Sequence, residues 1–251
     1  MSRWVEGRVI GLRQWTDELY SILVEADIAP FVPGQFTRLA LEIDGEMVAR
    51  PYSFVNGPDD PVCEFYFIIV PEGPLSHHLI RLEPGDTVFV AARAAGFLIL
   101  SELPDADHLW LLSSGTGIGP FLSILNDGEV WRRFDRIVLV HAVRREVELT
   151  HRETIEKLLV QHPEQLQYVP FVSREKTGFA LHGRVPAAIE DGRLEARTGL
   201  TIDAQTSQVM ICGNPYMVHD TQAVLEARGL KRNRRREPGQ ITVEQYWKES
   251  D

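Results

Sequence analysis

The hydrophobic pattern of the chain changes period part-way along, and few folds accommodate both halves. Up to about residue 100 the apolar side chains tend to recur at every second position. Leu39-Ala40-Leu41-Glu42-Ile43 alternates large apolar with small or charged residues, Asp44-Gly45 follows as a hairpin turn, and an extended run leads on to Val55. Cys63 to Val70 is β-branched and aromatic, Glu83-Pro84-Gly85-Asp86 is a turn, and Thr87 to Ala92 is another strand. Leu75, Leu79 and Leu82 share one face of a single intervening helix. Short strands punctuated by turns predict a small antiparallel barrel or sandwich.

From about residue 105 strands and helices alternate. Leu109 to Leu112 is a buried strand, followed by a glycine loop and a helix; Ile137 to Val140 and Tyr168 to Val172 are further strands, and Val209 to Cys212 a fourth. Thr150 with Glu153 reads as a capping box opening a helix through Leu159, and Gly229 ends a helix over Pro215 to Arg228. This order predicts a parallel, doubly wound sheet. The expected fold class is therefore α+β in two domains. An N-terminal antiparallel β-barrel covers 1–100 and a C-terminal α/β parallel-sheet domain covers 101–251, with the boundary between Leu98 and Asp107.

Composition narrows the function. The 251 residues carry 36 acidic and 26 basic side chains, a net charge of −10, which argues against nucleic acid or an anionic membrane as partner. Two cysteines, Cys63 and Cys212, cannot build a four-cysteine zinc or iron–sulfur site, and the eight histidines show no HExxH spacing, so no metal is expected. Arg3, Glu6 and Arg8 interrupt the first residues, so no signal peptide is expected. The uncharged run Leu109 to Asn126 holds three glycines and three serines and does not read as a membrane span. The cytoplasm is the expected compartment.

Ser113-Ser114-Gly115-Thr116-Gly117-Ile118-Gly119-Pro120 lies between a strand and a helix. Glycines there allow a tight turn and close approach to a ligand, and free N–H groups at the helix start suit a pyrophosphate. The spacing departs from G-x-G-x-x-G, and Pro120 fits the first helical position. The next strand runs out into Val143-Arg144-Arg145, where a site for unphosphorylated dinucleotide usually places an acid; Ser173-Arg174 ends the third strand, and Arg184 follows Gly183. Arginines at strand ends suit a ribose 2′-phosphate. In the first half, Arg50-Pro51-Tyr52-Ser53 offers a phosphate clamp, a ring to stack and a hydroxyl donor, and Gly73-Pro74-Leu75-Ser76 opens a helix.

Taken together these segments resemble the bacterial ferredoxin/flavodoxin–NADP⁺ reductases over essentially the whole length. Arg50 to Ser53 is similar to the family's R-x-Y-S flavin motif, Gly73 to Ser76 to its G-x-x-S loop, and Gly115 to Pro120 to its G-T-G-x-x-P loop. Cys212-Gly213-Asn214-Pro215 is similar to C-G-x-P, and Val243-Glu244-Gln245-Tyr246 to the terminal V-E-x-Y, with Trp247 added. The resemblance implies a flavin-binding barrel and an NADP-binding α/β domain, with FAD lying between them.

Residue by residue, it implies that Arg50, Tyr52 and Ser53 hold the flavin and its phosphates. Tyr66, Phe67 and Ile68 would line the flavin, and Pro74, Leu75 and Ser76 the pyrophosphate. Thr116 would reach the flavin or the nicotinamide. Gly115, Gly117, Ser173 and Asn214 would contact NADP(H), and Arg144, Arg174 and Arg184 would hold its 2′-phosphate. Tyr246 is assigned to the isoalloxazine and Trp247 to the adenine. The catalytic set is Ser53 toward flavin N5, Cys212 as a wall beside the nicotinamide, Glu244 as a proton relay or a flavin-orienting carboxylate, and Tyr246.

Lys231, Arg232, Arg234, Arg235 and Arg236 form a basic run on an acidic chain, suited to steering an acidic carrier, and the resemblance names that carrier as ferredoxin or flavodoxin. A monomer is expected. Three other readings stay open: an NADPH-dependent reductase component serving an oxygenase, a quinone or free-flavin reductase, and a flavin-binding sensor without enzymatic activity.

Overall fold

The computed structural model describes residues 4–245, and among them the chain makes two sheets that share no strand. The first contains β1 (Trp4–Gln14), β2 (Leu19–Glu25), β3 (Phe36–Ile43), β4 (Glu46–Ser53), β5 (Cys63–Ile68) and β6 (Thr87–Ala91). Its order is β4-β3-β6-β1-β2-β5, and every pairing is antiparallel. Asp44 (φ 53°) and Gly45 (φ 82°) make the two-residue β3–β4 turn, both left-handed as such a hairpin requires. Just past β4, Phe54 bridges Phe65 of β5, and Val55 N–H donates to the Glu64 carbonyl at 3.0 Å. The two edge strands thus meet, and the sheet curls on itself as the expected barrel does. Leu75 and Leu79 of helix α1 (Pro74–Leu79) are buried in the same core as Ile22, Leu39, Phe54 and Phe65.

This first unit comprises residues 4–99 together with 119–127. The second segment holds helix α2 (Gly119–Leu125), all seven of whose residues are buried. The Ser123 hydroxyl donates to the Asn56 carbonyl at 2.7 Å, which ties the helix to the chain leaving β4.

The second unit, residues 100–118 and 128–245, holds β7 (His108–Ser114), β8 (Arg136–Val143), β9 (Leu166–Val172), β10 (Leu181–His182), β11 (Ser207–Gly213) and β12 (Ile241–Gln245). The order is β10-β9-β8-β7-β11-β12, parallel throughout. The helices are α3 (Gly128–Arg133), α4 (Arg152–Gln161), α5 (Val185–Glu190), α6 (Arg193–Thr198) and α7 (Pro215–Ala227). Strands buried on both faces read as continuous apolar runs, and Leu109 to Leu112 of β7 are fully buried. From β7 the chain winds one way through β8, β9 and β10 and then returns to place β11 on β7's other side. That reversal makes the carboxyl ends of β7 and β11 a topological switch point.

Three local expectations are corrected. Helix α4 is not capped by Thr150 and Glu153: it begins at Arg152, and His151, in a left-handed conformation (φ 57°), is its N-cap without a side-chain cap bond. Thr150 is buried and lies 3.1 Å from the His151 ring, so it serves the interior rather than the helix end. Pro120 is the second residue of α2, not the first, because Gly115–Ile118 form a 3₁₀ turn before the helix. The segment from Ile241, read only as a motif-bearing tail, is strand β12, paired to β11.

Candidate functional site at the strand tips

The glycines after β7 do two different jobs. Gly117 has no room for a side chain: a Cβ there would sit 2.4 Å from the Cys212 carbonyl oxygen, so the turn can close against the end of β11 only as glycine. Gly115 has ample room, with nothing within 4 Å of a Cβ position, but its φ of +53° is left-handed. Its open side is the kind of surface a ligand backbone can approach. Across the switch point the Ser114 hydroxyl accepts from the Asn214 N–H at 3.0 Å, and Gly213 (φ +134°) leaves no space for a Cβ beside that hydroxyl. Asn214 in turn accepts from Tyr216 N–H and caps α7.

The three arginines stand at neighbouring tips. Arg144 follows β8, Arg174 lies two residues past β9, and Arg184 follows β10 through Gly183. Arg174 N–H donates to the Arg144 carbonyl at 2.8 Å, so the β8–β9 pairing continues beyond the strands and holds two of them side by side. All three are exposed, and among the described residues no ion pair engages their guanidinium groups. Ser173 gives both its N–H and its hydroxyl to the Val143 carbonyl, at 3.1 and 3.2 Å. A hollow of about 430 Å³ next to these tips is lined by Arg145, Glu146, Val147, Arg152 and Glu175.

At the end of β11, Cys212 is fully buried and is the register partner of Glu244 on β12. Burial pushes the Glu244 carboxyl up to about 7, so it changes protonation near neutral pH. Tyr246 and Trp247 lie outside the described residues. Among the described residues no group of three His, Cys, Asp or Glu is placed to hold a metal, and no helix is long and apolar enough to cross a membrane.

In the first unit the four residues closing β4 separate by exposure. Arg50 is exposed, Tyr52 is half-buried edge-on to Phe67 with ring centroids 5.8 Å apart, and Ser53 is buried. Burial pushes the Tyr52 phenol well above its ordinary value, with Arg50 acting weakly against it, so the ring stays neutral. Tyr66 and Phe67 are buried, while Ile68 is 41% exposed at the end of β5. The Ser76 hydroxyl accepts from Val70 N–H at 3.0 Å and closes the loop before α1, Pro74 is exposed, and the Leu75 side chain belongs to the core. The chemistry of these donor sets fits an anionic dinucleotide on each unit: an exposed guanidinium beside a neutral ring in one, and three exposed guanidinium groups beside an open glycine turn in the other.

Comparison with known proteins agrees with that division. The oxidoreductase FAD-binding domain family matches residues 20–96, and the oxidoreductase NAD-binding domain family matches residues 111–223. The flavodoxin/ferredoxin–NADP reductase of Escherichia coli (strain K12) is 48% identical over 248 residues, covering 98% of this chain and 100% of that protein. This chain belongs to the flavodoxin/ferredoxin–NADP reductase family. The reductase is also 49% identical to its Shigella flexneri counterpart over the same shares of both chains. A crystal structure of a ferredoxin NADP⁺ reductase from Neisseria gonorrhoeae with bound FAD and NADP superposes on the reductase with a TM-score of 0.91, at 30% identity, covering 98% and 100% of the two chains.

Two residues at these strand tips escaped the sequence reading. Ser114 is hidden in the glycine-loop motif, whose glycines draw the attention. His141, whose Nε2 lies 3.1 Å from the Gly115 carbonyl oxygen, announces itself faintly, as one polar residue inside the apolar run Ile137 to Val143.

Proposed function

We propose that the glycine turn and the arginine-bearing strand tips hold NADP(H), and that the end of β4 with the loop before α1 holds FAD. In the reaction, hydride moves between NADPH and FAD, and single electrons move between FAD and a flavodoxin or ferredoxin. The observation that carries this reading is the line of Arg144, Arg174 and Arg184 along three adjacent strand tips in the sheet whose switch point bears Gly115. Such a line recognises a dinucleotide carrying an extra phosphate on its ribose. FAD, when bound, supplies the exchange between two-electron and one-electron chemistry.

The chain's own residues bind, orient and manage protons. Arg50 offers a bidentate clamp for a flavin phosphate, and neutral Tyr52 offers a ring face with a hydroxyl donor. The buried Ser53 hydroxyl would donate to the flavin ring when FAD is bound. Tyr66, Phe67 and Ile68 give a wall along β5, and Pro74, Leu75 and Ser76 offer the backbone of the α1 entry. Thr116, Asn214 and Ser173 complete the polar rim of the nucleotide site. Cys212 packs as a polarizable wall, and Glu244, poised at about 7, holds or releases a proton without large cost at neutral pH. Tyr246 and Trp247 are assigned to the isoalloxazine and the adenine.

The carrier is attracted by Lys231, Arg232, Arg234, Arg235 and Arg236. All five are exposed: Arg234, Arg235 and Arg236 lie on the turn closed by the Arg234–Glu237 bridge shortly before β12, and Lys231 and Arg232 lead into it. Their field opposes the net −10 of the whole chain and favours an acidic partner. Relatives named for flavodoxin and ferredoxin favour such a carrier over an oxygenase or a free flavin as acceptor. On this reading the enzyme works in the cytoplasm as a monomer.

The test is spectroscopic. Anaerobic NADPH should bleach the flavin absorbance of the FAD-loaded protein, and oxidised flavodoxin or ferredoxin should restore it. A protein that takes up no FAD, or whose bound flavin ignores NADPH, would falsify the reading.

A further inference from the structure

β8 is apolar with one exception. His141 is fully buried (0% exposed), between Ser113 of β7 and Pro170 of β9. A buried imidazole is tolerated only where a hydrogen bond offsets its desolvation. Its Nε2 lies 3.1 Å from the carbonyl oxygen of Gly115. A carbonyl only accepts, so Nε2 carries the proton, and Nδ1 is a bare lone pair with no partner among the described residues.

We propose that His141 is a positioning residue for the nicotinamide dinucleotide: its Nε2–H anchors the Gly115 carbonyl and thereby aims the glycine turn's backbone donors at the pyrophosphate. A peptide unit is planar and trans, so a carbonyl drawn inward to the imidazole turns the Thr116 N–H of the same unit outward. Gly115 is the residue at which this matters. Its φ of +53° is one of two hands that glycine adopts with equal ease, because it has no side chain of its own to favour one. The fixed donor is the imidazole on the rigid central sheet. Burial and the nearby His151 drive the ring's pKa down to about 3, so it stays neutral, with its single proton on Nε2, through the working pH range. The proposal rests on the reading that the glycine turn holds NADP(H). Because the pyrophosphate is common to NADPH and NADH, the anchor serves both equally, unlike the arginines.

The experiment compares His141→Leu, which keeps bulk without a donor, with His141→Gln, whose amide can still donate, both in the FAD-loaded enzyme with a dye acceptor. His141→Leu should raise KM for NADPH and for NADH by the same factor, about tenfold or more for one lost buried anchor. FAD content and kcat at saturation should stay within about twofold, since the anchor touches only the dinucleotide's binding. His141→Gln should recover most of the loss. Unchanged KM values, a rise confined to NADPH, or equal loss in both variants would overturn the anchor and leave a packing role. Should His141→Leu fail to fold, nitrogen-15 NMR of the wild-type holoenzyme decides. The Nε2–H tautomer should persist from about pH 8 to 5, as expected for a desolvated neutral ring, and its resonance should move when NADP⁺ saturates. An Nδ1–H tautomer, or a resonance unmoved by bound NADP⁺, overturns the proposal. A wild-type flavin spectrum that does not respond to NADP⁺ at all would instead overturn the parent reading, and this one with it.

Discussion

Glu244 is the register partner of Cys212 across the parallel β11–β12 pair. That pairing brings a carboxyl from near the end of the described chain to the carboxyl edge of the sheet. There Gly117 closes against Cys212, and Ser114 accepts from Asn214. These groups are thus gathered by strand order, not by nearness in sequence.

Glu244 and His141 shape the acid stability of the second unit in opposite directions. The Glu244 carboxyl titrates near 4.5 unfolded and about 7 folded, so its contribution is full below pH 4.5 and is lost as the pH rises to about 7. His141 titrates near 6.5 unfolded and about 3 folded, so its contribution is full above pH 6.5 and is lost as the pH falls toward 3. Each has a slope of about 1.4 kcal/mol per pH unit, and between 4.5 and 6.5 they cancel. Glu244→Gln should unmask the histidine, so the variant loses stability relative to wild type as the pH is lowered through that window. Urea unfolding of the second unit at several pH values measures it, and parallel curves for the two proteins would refute it.

Arg144→Ala combined with Arg184→Ala should raise KM for NADPH strongly and KM for NADH little. A charge-assisted hydrogen bond contributes about 1.5–3 kcal/mol, and exposure places these two near the lower end, about tenfold each. Steady-state kinetics with both nucleotides checks it. Equal changes for the two would mean that these residues bind something other than the 2′-phosphate.

The two loop glycines should fail differently. Gly117→Ala drives a Cβ into the Cys212 backbone and should cost about 1–3 kcal/mol of folding stability. Gly115→Ala meets open space, costs only the left-handed conformation, about 1–2 kcal/mol, and should act mainly on nucleotide KM. Thermal unfolding set beside KM separates them; a Gly117→Ala protein as stable as wild type would contradict the close approach.

Reversing Arg234, Arg235 and Arg236 to Glu should slow reduction of flavodoxin or ferredoxin about tenfold or more at low salt, leave dye reduction intact, and flatten the salt dependence of the carrier reaction. Arg234 and Arg235 are within 3.7 and 3.9 Å of Glu237 and Glu102, so their charge is partly offset already, and Arg236 alone should carry a measurable share. Equal losses with carrier and dye would remove the turn as a steering surface.

Residue order alone carried the two periods, and with them an antiparallel sheet followed by a parallel one. It also marked the arginine-bearing strand ends and the glycine loop, because alternation, turn residues and glycine freedom are local properties. It did not yield β12, whose alternation of Ile241 and Val243 is too short to declare itself without β11 beside it. Nor did it separate the work of Gly115 from that of Gly117, since one is set by its own φ and the other by the Cys212 carbonyl, 95 residues away in the chain. The acidity of Glu244 and the single donor of His141 were likewise decided only in three dimensions. Both depend on how far burial strips water from a polar group, and burial is a property of neighbours that the chain brings together only when it folds.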